Sequence, residues 1–263
     1  MDRKRIRCDT GSFPEEIRLL IGDADLYDSS SSGDARVFFI DRDGGFFLKR
    51  AAEGTLSREA RMTEAFHGMG LTAGVLSYVS RGGYDYLLTE RVPGEDCVHP
   101  DHLADPVRLA GILGERLRAL HDLNAAGSPG KDWSTLFVRS VREGLKAGCF
   151  NPKKYRGLWD FSSAREAREE AERGIASLRD DVLIHGDYCL PNVLLKSWRF
   201  SGFVDLGLAG MGDPHVDLMW GIWSLRYNLK TDRFTGRFLD AYGRDRVEDE
   251  MLRRVAAMDA VAL

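Results

Sequence analysis

Two short polar loops, each entered from an apolar run, constrain this chain more than anything else in it. Val182-Leu183-Ile184 leads into His185-Gly186-Asp187-Tyr188-Cys189-Leu190-Pro191-Asn192. After Val193-Leu194-Leu195, a second apolar pair, Phe203-Val204, leads into Asp205-Leu206-Gly207. Short apolar runs bounded by turn formers read as strands. Successive strands of this kind carry the two loops to neighbouring positions, so the carboxylates of Asp187 and Asp205 and the amide of Asn192 serve one place.

Those residue types at that spacing fit one chemistry. Moving a phosphoryl group from ATP requires a carboxylate that orients the attacking hydroxyl and takes its proton. It also requires oxygen ligands that hold Mg²⁺ against the phosphates. Asp187 is the candidate catalytic base, Asn192 and Asp205 are the candidate magnesium ligands, and His185 braces the loop. Each tripeptide alone reads better as a chance turn whose aspartate is a cap. Their joint spacing, each after an apolar strand, is what favours the chemical reading.

The residues before these loops divide into a strand-rich front and a helical back. Val37-Phe38-Phe39-Ile40 and Phe46-Phe47-Leu48 flank Asp43-Gly44-Gly45, a hairpin signal. Leu56 to Met69 predicts a helix, and Val75–Val79 with Tyr84–Thr89 predicts a second strand pair around Arg81-Gly82-Gly83. Val92-Pro93-Gly94 is a breaker cluster and marks a boundary. Beyond it Asp105-Pro106 predicts a capped helix start, with Leu109, Leu113, Leu117 and Leu120 on one stripe. Ser163 and Glu166 have capping-box spacing ahead of a charged helix reaching about Leu178. The pattern is α+β, with residues 1–93 and 94–263 as its two parts.

Composition removes several classes of function. A net charge of -4 in 263 residues offers no basic surface for nucleic acid. No apolar stretch is long enough to span a membrane, and no apolar segment follows the basic start. The four cysteines are far apart and form no CxxC pair, which fits reduced thiols in a cytoplasm better than disulfides or a zinc site.

The run HGDYCLPNVLL followed by RFSGFVDLG resembles the aminoglycoside phosphotransferase family of small-molecule kinases. That resemblance implies a two-lobed protein-kinase-like fold, with a β-rich N-lobe carrying one helix and a mainly helical C-lobe. It implies that residues 1–93 bind the nucleotide and that 94–263 carry catalysis and the acceptor, a small molecule bearing a hydroxyl. Lys49 would then contact the ATP phosphates, paired with Glu59 on the following helix, or failing that Glu64. Ser31, Ser32 and Gly33, in the serine-rich segment, would lie over the phosphates. The segment from Glu90 to Val92 would read the adenine edge through its backbone. Asp213 and Asp217 would be structural, tying the metal loop to the next helix. Cys189 is expected to pack rather than react.

The chain departs from the family pattern where the acceptor binds. Family members that phosphorylate polycations surround them with carboxylates. Here Asn151-Pro152-Lys153-Lys154-Tyr155-Arg156 is basic, and the segment Trp220 to Asn228 is aromatic and neutral to basic. Leu208 stands where the family has an arginine, and of the acidic tail only Asp259 remains. Trp220, Trp223 and Tyr227 are expected to be core, with stacking on a sugar or a quaternary ammonium as the alternative. An aminoglycoside is the leading acceptor, and a sugar, amino alcohol or choline-like compound is the rival. A metal-dependent phosphoesterase and a non-catalytic nucleotide-binding module are the readings outside kinase chemistry.

Overall fold

The computed structural model describes residues 4–6, 10–30, 33, 35–124, 127 and 129–263. They form two compact units, one comprising 1–93 with 201–207, the other 94–200 with 208–263.

The first unit is built on an antiparallel sheet. Its elements are β1 (Lys4–Ile6), α1 (Glu15–Ile21), β2 (Asp25–Asp28), β3 (Arg36–Asp41), β4 (Phe46–Ala52), α2 (Ser57–Gly68), β5 (Val75–Arg81) and β6 (Tyr84–Glu90). The strands run in the order β1-β2-β3-β4-β6-β5. The predicted hairpin around Asp43-Gly44-Gly45 joins β3 to β4, with all three turn residues at positive φ. Strand β4 continues three residues beyond Lys49, which therefore lies mid-strand rather than at the strand end, paired with Leu87 of β6.

Alternation along the strands decides which face Lys49 serves. Phe38, Ile40, Leu48, Tyr86 and Leu88 point to one face, where Ile17 and Ile21 of α1 cover them. The intervening Ala51 and Leu87 point to the other, where Leu56 and Ala60 at the start of α2 pack. Lys49 shares the parity of Ala51 and so faces α2. Helix α1 adds a second, shorter helix to the one anticipated from sequence. Its seven residues are too few for a clear period, and Ile17 and Ile21 mark only one stripe.

The second unit is mainly helical. It contains β7 (Glu95–Asp96), α3 (Pro100–Leu103), α4 (Pro106–His121), α5 (Trp133–Ala147), α6 (Ala164–Ser177), β8 (Val182–Ile184) and β9 (Val193–Lys196). Strand β10 (Arg199–Phe203) carries the chain back into the first unit. Then come β11 (Gly210–Gly212), α7 (Pro214–Leu229), α8 (Thr235–Tyr242) and α9 (Asp249–Val261). Both anticipated caps are present: Asp105 accepts the Arg108 N–H at 3.1 Å and Ser163 Oγ accepts the Glu166 N–H at 3.2 Å.

Helices α5, α6 and α9 share a core of Val141, Leu145, Ala167, Ala171, Met258 and Val261. Small residues set how closely these helices approach. A Cβ at Gly144 would stand 1.8 Å from the Val261 carbonyl oxygen, and one at Gly114 of α4 would stand 2.3 Å from that of Phe238 on α8. Either contact is impossible without separating the helices.

Candidate active site

In the first unit, three charged side chains from distant parts of the sequence converge. Lys49 Nζ donates to Glu59 Oε1 at 3.0 Å, to Glu59 Oε2 at 2.9 Å and to Asp205 Oδ1 at 2.9 Å. Glu59 sits in the first turn of α2, on its inner face. Glu64 is exposed, so the first of the two anticipated partners is the one that pairs. Burial pulls the Lys49 ammonium down, but the charges of Asp205 and Glu59 outweigh it and hold the lysine protonated above its ordinary range. Burial also pushes the Glu59 carboxyl up against the pull of Lys49.

Asp205 is delivered by the segment of β10 and beyond that belongs to this unit. Phe203 N–H donates to the Leu71 carbonyl at 2.8 Å, Thr72 Oγ1 donates to the Phe203 carbonyl at 2.7 Å, and the Phe203 ring meets Phe66 edge-on at 6.3 Å. Asp205 itself has φ of 58°, a left-handed conformation that aspartate tolerates better than most residues. Gly207 follows it, and a Cβ there would come within 3.5 Å of Glu59 Oε2.

The serine-rich segment is described only in part. Ser29 N–H donates to the Val37 carbonyl at 2.9 Å, and Ser30 Oγ accepts the Val37 N–H at 3.0 Å, which closes the base of a loop between β2 and β3. Ser31 and Ser32 lie outside the described residues, and Gly33 is exposed. At the far end of the sheet, Glu90 N–H donates to Gly74 and Arg91 N–H to Gly45, while the Val92 side chain is buried. Those two N–H groups are thereby committed within the unit.

In the second unit the loop after β8 holds Asp187 and Asn192 together. Asn192 Nδ2 donates to both the main-chain oxygen and Oδ2 of Asp187, each at 2.9 Å. His185 is fully buried, and its Nδ1 accepts the Asp187 N–H at 3.3 Å, which is the bracing role expected of it. Two further bonds pin the loop: Tyr188 Oη donates to the Leu113 carbonyl of α4 at 2.8 Å, and Leu190 N–H donates to Ser224 Oγ of α7 at 2.9 Å. Burial, with Asp187 nearby, pushes the Cys189 thiol well up, which disfavours the thiolate.

The acidic pair on α7 is structural, but it acts elsewhere than anticipated. Instead of tying the metal loop to the next helix, Asp217 grips the start of the Asp187 loop. Its Oδ2 accepts the His185 N–H and its Oδ1 the Gly186 N–H, both at 2.7 Å. His121, at the end of α4, completes the set with Nε2 3.2 Å from Asp217 Oδ2 and Nδ1 2.9 Å from Tyr242 Oη. Because the Asp217 carboxylate accepts, the ring hydrogen lies on Nε2, and Nδ1 accepts from the Tyr242 hydroxyl, which burial pushes up to about 12. Asp213 caps α7 by accepting the His215 N–H at 2.9 Å, and it also accepts the Arg179 N–H at 3.1 Å. Glu248 N–H donates to His215 Nε2, which places the ring hydrogen on Nδ1, directed at Asp213 at 2.7 Å. Nothing in the sequence pattern marks His121 and Tyr242 as partners of Asp217, because they come from three different helices.

The Trp220–Tyr227 segment is also corrected. The buried face of α7 consists of Val216, Leu218, Met219, Ile222 and Leu225, while Trp220 and Trp223 are half-buried at its edge and Tyr227 is 57% exposed. Trp223 and Tyr227 stack with centroids 5.1 Å apart and planes 14° apart. Helical spacing places residues 220, 223 and 227 on one stripe, about a hundred degrees from the apolar one.

No helix among the described residues is long and apolar enough to cross a membrane.

Comparison with known proteins bears on this arrangement. A sequence profile described as the phosphotransferase enzyme family matches residues 28–256. A Lactococcus lactis protein described as a probable aminoglycoside 3'-phosphotransferase is 40% identical over 256 residues, 97% of each chain. An aminoglycoside 3'-phosphotransferase of Niallia circulans is 28% identical, covering 95% of this chain and 97% of its own. Among solved structures, an aminoglycoside phosphotransferase of Streptomyces rimosus in complex with ADP and streptomycin superposes with a TM-score of 0.76. It is 19% identical and covers 98% of this chain and all of its own, a likeness of fold.

Proposed function

We propose that this chain, which belongs to the phosphotransferase enzyme family, transfers the γ-phosphoryl group of ATP to a hydroxyl of an aminoglycoside. The observation that carries the transfer chemistry is the Lys49 ammonium held between Glu59 and Asp205. A half-buried lysine between two carboxylates stays charged and is aimed, which suits it to the polyphosphate of ATP. The likeness to aminoglycoside kinases over nearly the whole chain supports the acceptor class.

Each residue has a role in this reading. Asp187, fixed in orientation by Asn192, orients the acceptor hydroxyl and takes its proton as the oxygen attacks the γ-phosphorus and ADP leaves. Asp205 and Asn192 are assigned as oxygen ligands for magnesium, the hard donors this ion takes. When bound, magnesium neutralises charge on the phosphates. Ser31, Ser32 and Gly33 are assigned to the phosphate side, and the backbone from Glu90 to Val92 to the adenine. Asp213 and His215 are spent on each other and on Arg179, which removes them from a phosphoesterase metal set.

The experiment is ADP release, followed with kanamycin as acceptor and with magnesium present or chelated. Magnesium-dependent release that requires kanamycin is expected. Release of phosphate from a monoester without nucleotide would favour the phosphoesterase instead.

A further inference from the structure

The loop between α5 and α6 forms, with the end of α7, a pocket of about 300 Å³ whose lining residues have been given no role so far. Its charged lining is Lys154, Arg156, Arg226 and Lys230, and the described residues lining it include no carboxylate. The chain as a whole carries a net charge of -4, so this concentration of positive charge is local. Trp223 and Tyr227 supply a flat aromatic wall, with Lys230 Nζ 4.3 Å above the Tyr227 ring.

The pocket is built rather than incidental. Its loop is fastened to α9 by Asn151 N–H donating to Ala260 at 3.0 Å, and to α7 by Trp223 Nε1 donating to the Lys154 carbonyl at 3.1 Å. Arg226 donates Nη1 to the Gly157 carbonyl, and a Cβ at Gly157, whose φ is 78°, would stand 2.6 Å from Arg226 Nη2. Glycine there lets the guanidinium lie against the backbone, held in place with most of its five donors still to spend.

The neighbouring acids are already committed. Asp259 accepts from the Tyr155 hydroxyl and pairs with Lys154, and Asp160 accepts the Gly157 N–H at 2.9 Å. Lys154 is thereby compensated, while Arg156, Arg226 and Lys230 have no carboxylate beside them in the lining. A polycation would meet like charge here. A carboxylate or phosphate would meet a pre-oriented guanidinium fork. The helix that walls the pocket also holds the Asp187 loop, because Ser224, next to Trp223 on α7, accepts the Leu190 N–H at 2.9 Å.

We propose that this pocket is an acceptor subsite for an anionic, monosaccharide-sized ligand, a pyranose bearing a carboxylate or phosphate. The ring lies against Trp223 and Tyr227 and the anionic group against Arg226 and Arg156. This rests on Asp187 being the base of a phosphotransferase, and it extends the acceptor range beyond aminoglycosides. In the transfer step, the sugar hydroxyl oxygen bonds to the γ-phosphorus and the bond to the β,γ-bridging oxygen breaks. The hydroxyl proton passes to Asp187 and ADP departs. A volume near 300 Å³ is at the small end of ligand pockets and suits one ring.

The test is calorimetric titration of the whole protein with four probes of one ring size: glucuronate, glucose 6-phosphate, glucose and glucosamine. At least one anionic sugar is expected to bind at least tenfold more tightly than glucose, with glucosamine the weakest. The carboxylate and phosphate arms identify the anion. Arg226→Ala and the exposed Arg156→Ala are expected to weaken that binding at least tenfold and fivefold, and added salt to weaken it further. Arg156→Ala touches no packed group, so it keeps the test valid if Arg226→Ala loosens the loop.

Equal binding of charged and neutral sugars, or an affinity indifferent to both substitutions, overturns the pocket. ADP release is measured on the same preparations with kanamycin and with the tighter anionic sugar. Kanamycin turnover without charge-dependent sugar binding overturns the pocket and leaves the proposed function standing. No release with any acceptor overturns the proposed function, and the acceptor role of the pocket with it.

Discussion

Lys49 Nζ lies 2.9 Å from Asp205 Oδ1, although the two residues are 156 positions apart in the chain. The same ammonium makes a two-oxygen contact with Glu59. Lys49→Ala is therefore expected to lower kcat/KM for ATP by about two orders of magnitude, the scale of losing a charge-assisted phosphate contact. Glu59→Gln, which keeps the shape and loses the charge, is expected to cost about tenfold. Steady-state ADP release at varied ATP measures both. Activity unchanged in Lys49→Ala would remove the lysine from the site.

Asp187→Asn keeps the geometry with Asn192 while withdrawing the proton acceptor. Its kcat is expected to fall by about 10²–10⁴-fold, the range of general-base contributions. Nucleotide affinity by fluorescence titration should remain within about twofold, because the interaction removed serves the acceptor hydroxyl. A kcat within threefold of the parent would refute the base assignment.

Asp217→Ala would strand two buried N–H donors, those of His185 and Gly186, and the Nε2 hydrogen of His121. At about 1–3 kcal/mol for each unsatisfied group, partly relieved by relaxation, a loss of about 3 kcal/mol is expected. For a chain of this size that corresponds to roughly 6–12 °C in Tm. Differential scanning calorimetry measures it, and kcat should fall more than KM changes because the base loop loosens. Unchanged Tm would show the carboxylate to be dispensable.

Gly186 has φ of 82°, and a Cβ there would sit 1.9 Å from the Leu208 carbonyl oxygen. Gly186→Ala is expected to destabilise by more than about 2 kcal/mol, combining left-handed strain with that clash. Chemical denaturation reads the loss. A stability equal to the parent would mean that the loop accommodates a side chain by another path.

Asp213 gives a pH dependence with a definite sign. Burial raises its carboxyl, but His215 and the Arg179 N–H outweigh it and hold it below the ordinary carboxylate range. A depressed carboxyl stabilises the fold above its unfolded value, and that stability is lost as pH falls through the folded value. Asp213→Ala should be less stable than the parent at pH 7, by about 3 kcal/mol for a broken buried network. The difference should shrink as pH falls below about 4, the unfolded value. Urea denaturation across that range checks it, and a gap that widened in acid would reverse the assignment.

The loop residues were legible in the sequence because their spacing is short. His185, Asp187 and Asn192 fall within one eight-residue stretch, so local chain geometry already holds them together. The hairpin around Gly44-Gly45, the cap at Asp105 and the capping-box start at Ser163 were legible for the same reason. Lys49 and Glu59 were singled out by the family resemblance, since a strand lysine alone reads as a surface group; the alternation of β4 then places Lys49 on the face toward α2.

What only the tertiary structure decided involves partners brought together by packing. That Asp217 holds the Asp187 loop, with His121 and Tyr242 behind it, depends on α4, α7 and α8 meeting. Whether Trp223 and Tyr227 are core or wall depends on how α7 is rotated, and its apolar stripe leaves them at the edge. The approach of Arg226 to Gly157 is likewise fixed by side-chain packing across distant segments. A one-dimensional pattern records periods and neighbours. Hydrogen-bond partners tens of residues apart are chosen by which helices bury which faces, and that choice is made only when the whole core closes.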